Sequence, residues 1–375
     1  METPQSAERE RTARWQTRPR PRKAASPALL TLTSALLLGL IALPASEART
    51  CTRAVYHGEG GLVLTGRTMD WSEEVGTNLW VFPRGMERTG EAGRRSVRWT
   101  SRYGSVVASG YDIATTDGLN ERGLVANLLW LAESRYPQAR GNRATLSLSL
   151  WAQYVLDNFA TVSEAVEALR AESFVVVTDA VPGQGRLATL HLSVSDAAGD
   201  SAIFEYIDEQ LVIHHGRQHQ VMTNSPVYDQ QLALAAYWEQ IGGTVMLPGT
   251  NRAADRFVRA SFYVNAIPRF SDPAMAVPAV MSVMRNVSVP YGISTPGHPN
   301  ISTTRWRVVV DHTNLVYHFE SALAAGTIHV RLRDLDLSPG TPVRRLELDR
   351  YLSRAGDVTG EFRPAAPMRF LPATN

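Results

Sequence analysis

The period of the hydrophobic positions changes several times along the chain, and each change predicts a different kind of element. Alternating β-branched residues predict strands over Thr52–Tyr56 and Leu62–Gly66, joined by the turn-forming Gly58-Glu59-Gly60-Gly61. Further short strands are expected at Leu79–Phe82, Val97–Thr100 and Gly123–Leu129. Apolar residues then recur at helical spacing over Leu146–Ala160 and Val162–Ala171, the second opened by a capping box from Thr161 to Glu164. The two-residue period returns at Ala188–Ser195, Ser201–Ile207 and Leu211–His214. Helices are expected next at Asp229–Ile241, Ala253–Ile267 and Pro273–Val287, and strands at Arg305–Val310, Leu315–Phe319 and Thr327–Leu332. Blocks of strands alternating with blocks of helices predict an α+β architecture, two sheets with helices packed outside them.

The first fifty residues follow a different pattern. A basic stretch over residues 9–23 leads into the uncharged apolar run Pro27–Leu43, then Pro44 and the small-residue stretch Ala45-Ser46-Glu47-Ala48. That order predicts a secretory signal peptide over residues 1–48, and hence a periplasmic or secreted protein. Seventeen residues from Pro27 to Leu43, three of them bearing hydroxyls and followed by Pro44, are short for a membrane anchor, so no stable membrane association is expected after cleavage. Ser46 and Ala48 stand at −3 and −1 of the cleavage site, which leaves Arg49-Thr50 as a short pro-segment ahead of Cys51.

Composition narrows the chemistry. The 375 residues are 44% hydrophobic and 20% charged with a net charge of +2, which excludes a disordered chain and a dedicated nucleic-acid binder. Lys23 is the only lysine, so a P-loop lysine, a Schiff base and a Ser–Lys dyad are excluded beyond it. Cys51 is the only cysteine, which excludes an internal disulfide and a cysteine-clustered metal site. Its place just after a signal peptide allows two readings. Lipidation calls for an apolar, small-residue run directly before the cysteine, and Arg49 interrupts that run. Removal of residues 49–50 fits better and makes Cys51 the new N-terminus. One residue then owns both a thiol nucleophile and an α-amine of pKa about 7.7–8.0 that can take its proton.

From Cys51 the segment CTRAVYHGEGGLVLTGRTMDW resembles the mature N-terminus of the choloylglycine hydrolase family, N-terminal-nucleophile hydrolases that cleave linear amides. Three further blocks agree in order: Asp117–Leu124 (DGLNERGL), Met222–Pro226 (MTNSP) and Leu247–Phe262 (LPGTNRAADRFVRASF). The resemblance implies a four-layer αββα sandwich over 51–375 as a single catalytic domain, with no cofactor. It implies Cys51 as nucleophile, Asp70 holding the α-amine, Arg67 beside the thiol favouring the thiolate, and Arg256 completing the charged network. Asn224 and the backbone N–H of Trp130 are implied as the oxyanion donors.

Two departures from the family pattern bear on substrate. Trp130 stands where bile salt hydrolases commonly carry Asn and some penicillin V acylases carry Tyr, and Trp71 adds a second indole directly after Asp70. Between Asn224 and Arg256 lie 31 residues, fewer than in Gram-positive members, whose extra loop helps join subunits. Both features resemble the Gram-negative penicillin V acylases of this family, some of which also cleave long-chain acyl-homoserine lactones. The two indoles would flank a flat or greasy acyl group. The expected partner is thus a small-molecule amide, and the resemblance implies a homo-oligomer, dimer or tetramer. The competing readings are a bile salt hydrolase, an acyl-homoserine lactone acylase, and a lipid-anchored binding protein attached through Cys51. His214, His215 and His219 cluster in sequence, but no carboxylate follows Glu209 nearby, and no metal site is expected there.

Overall fold

The computed structural model describes residues 51–373 except 182, 184, 243–244 and 295–301, so the expected signal peptide and pro-segment lie outside the described residues. Two large sheets carry the domain. The first has seven strands in the order Val221–Met222, Thr52–His57, Val63–Trp71, Thr303–Asp311, Val316–Ser321, Ile328–Arg331 and Gly356–Asp357. The second has nine: Gln210–His215, Ser201–Ile207, Leu190–Ser195, Val125–Trp130, Ala114–Asn120, Ser105–Gly110, Leu79–Phe82, Arg344–Leu346 and Arg363–Pro364. Helices α1 (Trp151–Asn158) and α2 (Val162–Arg170) pack on the second sheet. Helix α3 (Tyr228–Ile241) packs beside α4 (Ala253–Ala266), and α4 and α5 (Pro273–Asn286) lie on the first sheet. The layers are therefore helix, sheet, sheet, helix.

Local chemistry accounts for the elements that matter to the site. Gly60 and Gly61 take φ of +63° and +80°, which lets the first two strands turn back on each other. The strand Val63–Trp71 is buried at all nine positions because α5 covers one face and the second sheet the other. Gly66 is required there: a Cβ would stand 2.8 Å from the Met284 side chain of α5. Helix α2 starts where the capping box places it, Thr161 Oγ1 accepting from Glu164 N–H at 3.2 Å.

The stretch Leu146–Ala160 departs from its helical period. Ala144–Ser147 is a strand paired with Phe174–Val177, Leu148–Leu150 is a 3₁₀ turn, and α1 begins only at Trp151. Tertiary bonds override the period, since the Ser147 and Ser149 hydroxyls both donate to the Leu371 carbonyl at 2.8 Å. The strands Ser105–Gly110 and Ala114–Asn120 carry no sequence alternation. They lie in the middle of the second sheet, covered on both faces, where small and polar residues hide the two-residue period.

Candidate active site

Strand alternation builds the site. Successive side chains of Val63–Trp71 point to opposite faces, so Arg67, Met69 and Trp71 face the second sheet while Thr68 and Asp70 face α4. Arg67 and Asp70 therefore point away from each other and do not form the surface ion pair that their spacing alone suggests. The neighbouring strand pairs Thr52 with Thr68 and Arg53 with Arg67, which sets Cys51 beside Met69 and Asp70. The Cys51 thiol accepts from Asp70 N–H at 3.4 Å, donates to the Asp70 carbonyl at 3.7 Å, and lies 4.0 Å from Met69 Sδ.

Behind it, the helix face carries a buried chain of charge. Asp70 Oδ2 accepts from Arg256 Nη1 at 3.4 Å and from the Thr68 hydroxyl at 3.2 Å; Oδ1 accepts from the Thr304 hydroxyl at 2.5 Å. Arg256 also donates to the Thr52 hydroxyl and, at 3.4 Å, to Asn224 Oδ1. Asn224 Nδ2 in turn donates to the Trp130 carbonyl at 2.6 Å. Cys51, Asp70, Arg256, Asn224 and Trp130 thus form one continuous set of contacts across both sheets. A β-bulge between Thr304 and Trp306 aims Thr304 at Asp70 and turns Arg305 onto the carbonyls of Trp71 and Ser72, at 3.0 and 2.7 Å.

Arg67 stands on the other face, where its Nη2 donates to the Leu128 carbonyl and to Met69 Sδ, each at 3.1 Å. Its Nη1 is 3.9 Å from Asp117 Oδ2, and the guanidinium lies 4.5 Å from the centre of the Trp306 ring. Arg67 Nε and Nη1 are buried and carry no hydrogen bond among the described residues. Burial is the largest influence on the Cys51 thiol and pushes its pKa up; Arg67 opposes this most strongly, while Asp70 adds to the rise. Among the charges around the thiol Arg67 opposes the rise most strongly, and burial outweighs it. Burial also raises the Asp70 carboxyl, against Arg256 and the two threonine hydroxyls, and lowers Arg256 to about 10.

These signs give a test. Arg67→Leu removes the main influence lowering the thiol pKa and is expected to move its titration to higher pH. Asp70→Asn removes one that raises it and should move the titration to lower pH. The pH dependence of iodoacetamide alkylation at Cys51 measures both, and shifts in the same direction would contradict this arrangement.

Cys51 and Arg67 line a cleft between the sheets. Trp71 and Trp130 form part of its wall, their rings 5.7 Å apart at 59°, and Trp71 Nε1 donates to the Tyr111 hydroxyl at 2.7 Å. Arg186 lies over the Trp130 ring at 5.0 Å.

The sequence reading missed Asp117, which is fully buried opposite Arg67 and accepts from the Tyr317 hydroxyl and Asn127 Nδ2, each at 2.6 Å. Its neighbour in the same block, Asn120, bonds the carbonyls of Leu156 and Phe159 at the end of α1 with its Nδ2. The block Asp117–Leu124 is thus a counter-charge for Arg67 and a cap for α1. Thr52, Thr68 and Thr304 were also missed, because threonines in a strand carry no signal of their partners.

The histidines are spread over two sites. His215 bonds Asp200 at 2.7 Å, while His214 and His219 pack around Tyr228 with His219 Nδ1 3.1 Å from its hydroxyl. Carboxylates absent from the local sequence come close in space, Glu205 and Asp229 standing 3.9 and 3.7 Å from His214. Among the described residues no group of three or more His, Cys, Asp or Glu side chains is arranged to hold a metal ion.

Two facing sheets between helical layers, with a buried thiol beside an arginine and an aspartate, are the architecture of the N-terminal-nucleophile hydrolases. The family model for linear amide C–N hydrolases, the choloylglycine hydrolase family, matches residues 51–344, and the chain belongs to that family. It is 52% identical over 361 residues to a penicillin V acylase from Pectobacterium atrosepticum, with 90% of this chain and 96% of that one covered. A solved penicillin V acylase from Agrobacterium tumefaciens superposes with a TM-score of 0.80 at 60% identity, over 86% of this chain and 99% of that one. A bile salt hydrolase/transferase from Clostridium perfringens is 26% identical over 274 residues, covering 64% of this chain and 80% of that one. A solved variant of the conjugated bile acid hydrolase from that organism shares the fold, with a TM-score of 0.70 at 21% identity over 81% of this chain and 99% of that one. The protein is thus a linear amide hydrolase of the penicillin V acylase type.

Proposed function

We propose that the mature enzyme begins at Cys51, after loss of a signal peptide (1–48) and of Arg49-Thr50, and works in the periplasm or outside the cell. The observation that carries this reading is the placement of the lone cysteine, at the start of a buried strand, on the wall of an apolar cleft with Arg67 beside it and the Asp70–Arg256–Asn224 chain behind. The freed α-amine takes the thiol proton, and Asp70 orients the resulting ammonium. The thiolate attacks the amide carbonyl carbon; Asn224 Nδ2 and the Trp130 N–H stabilise the oxyanion. The C–N bond breaks as the ammonium returns its proton to the leaving amine, leaving a thioester on Cys51. Water, deprotonated by the same amine, then hydrolyses the thioester to the carboxylic acid and regenerates the thiol.

The indoles of Trp71 and Trp130 and the similarity to two penicillin V acylases support an aromatic or long acyl group, as in penicillin V or an acyl-homoserine lactone, over a conjugated bile salt. Exposed Tyr237, Ile241, Val245 and Met246 at and after the end of α3 support a homo-oligomer. Profiling penicillin V, glyco- and tauro-conjugated bile salts and acyl-homoserine lactones decides the substrate class, and Trp130→Ala tests the pocket. Losing that indole is expected to lower kcat/KM about 10–200-fold for phenoxyacetyl and long acyl groups and little for short ones, because the backbone N–H at 130 survives. A uniform loss across all acyl groups with a lowered Tm would make Trp130 a packing residue and remove the basis for this substrate.

A further inference from the structure

The cleft is bounded in part by the end of the chain. Leu371 lies on its wall, and it lies beyond residue 344, where the family match stops. The backbone of this segment is held on several sides. The Ser147 and Ser149 hydroxyls donate to the Leu371 carbonyl at 2.8 Å each, and the Leu371 N–H donates to the Ile113 carbonyl at 2.8 Å. Two residues on, the Ala373 N–H donates to the Glu91 carbonyl at 2.8 Å. Met368, Phe370 and Ala373 are buried around it, with the Phe370 ring 6.4 Å from that of Phe82. Leu371 itself is only half-buried. The strap is therefore anchored by its main chain and by neighbouring side chains, and the Leu371 side chain is left to shape the cleft.

Leu371 and Cys51 wall the same cleft and are held by separate sets of residues. Ser147, Ser149 and Ile113 line the cleft and hold Leu371, whereas Met69 and Asp70 hold the Cys51 thiol; the two sets share no residue. A substitution at Leu371 therefore reshapes the cleft without touching the contacts of the thiol, and an acyl chain attached at Cys51 would meet this wall as it fills the cleft. The cleft lining is largely apolar, with Leu128, Leu148 and Leu190 among its residues.

We propose that Leu371 is a specificity-determining residue that sets the length of the acyl group the enzyme accepts. The proposal deepens the amide-hydrolase reading and rests on it. Burying one further methylene changes affinity about fourfold. Trimming the Leu371 isobutyl group to methyl makes room for roughly two methylenes, a shift of about fifteenfold in favour of longer chains.

The test is a homologous series of straight-chain acyl-homoserine lactones from four to fourteen acyl carbons, assayed with wild-type, Leu371→Ala and Leu371→Trp enzyme. Leu371→Ala is expected to raise the long-to-short ratio of kcat/KM about fifteenfold and move the optimum to longer chains; Leu371→Trp should do the reverse. Because the ratio is taken within each variant, a change in folded fraction cancels. The same variants are read without turnover, by protection of Cys51 from iodoacetamide with straight-chain carboxylic acids of the same lengths. If wild-type enzyme hydrolyses no amide, the proposed function falls, while the protection assay still reports whether Leu371 sets length. Unchanged ratios in both assays, or parallel losses at every length, overturn the proposal. Ser147→Ala with Ser149→Ala, which releases the Leu371 carbonyl, should flatten the length profile; an unaltered profile would count against the strap.

Discussion

Cys51→Ser is expected to leave the protein folded and to lower kcat/KM for every amide tested by on the order of 10³-fold or more. The fold should tolerate the change because the contacts at this position suit a hydroxyl: the Asp70 N–H donates to the side chain at 3.4 Å and the Asp70 carbonyl accepts from it at 3.7 Å. The chemistry should not tolerate it. Burial already pushes the thiol pKa up, and a serine hydroxyl starts from a far higher value than a thiol, so in a site built around a thiol the same amine activates it far less readily. Unchanged Tm with activity below a few per cent of wild type is the expected result. Retention of more than that would remove Cys51 as nucleophile. Measuring the N-terminal mass of the secreted protein then separates the enzyme from its rival: free Cys51, or Cys51 carrying a diacylglyceryl group.

What the sequence made legible here was mostly what is local. The strands Leu79–Phe82 and Ser201–Ile207 come out at their predicted bounds, and α4 differs by one residue, because alternation and helical spacing are properties of a few neighbouring positions. The same alternation in Val63–Trp71 separates Arg67 from Asp70. Their partners, however, come from distant parts of the chain. Asp70 meets Arg256 from 186 residues away and Thr304 from 234, and Thr304 reaches it only through a bulge that leaves no mark in composition. Asp117 was hidden for a different reason: its block was noticed, but its strand is covered on both faces and lacks a period, so nothing showed which way its carboxylate points. The family resemblance supplied Asn224 and Arg256, which periodicity and composition could not have singled out.

The second large effect concerns the two residues ahead of the nucleophile. A chain that retains Arg49-Thr50 is expected to be inactive, because the nitrogen of Cys51 is then an amide and no longer basic. Losing a general base typically lowers the rate about 10²–10⁴-fold, and the leaving amine and the deacylating water both depend on this one group. The remaining titratable groups around the thiol cannot replace it. Arg67 and Arg256 are cations, and Asp70 is already engaged by Arg256, Thr68 and Thr304. Expressing Met directly before Cys51 should give active enzyme once Met is removed. Its kcat/KM should rise between about pH 6 and 8, as the α-amine loses its proton and becomes able to accept that of the thiol. The Arg49-Thr50 form should show no such rise. An active protein whose N-terminus is confirmed as Arg49, with the same pH profile, would mean that the base lies elsewhere and that removing the pro-segment does not create the active site.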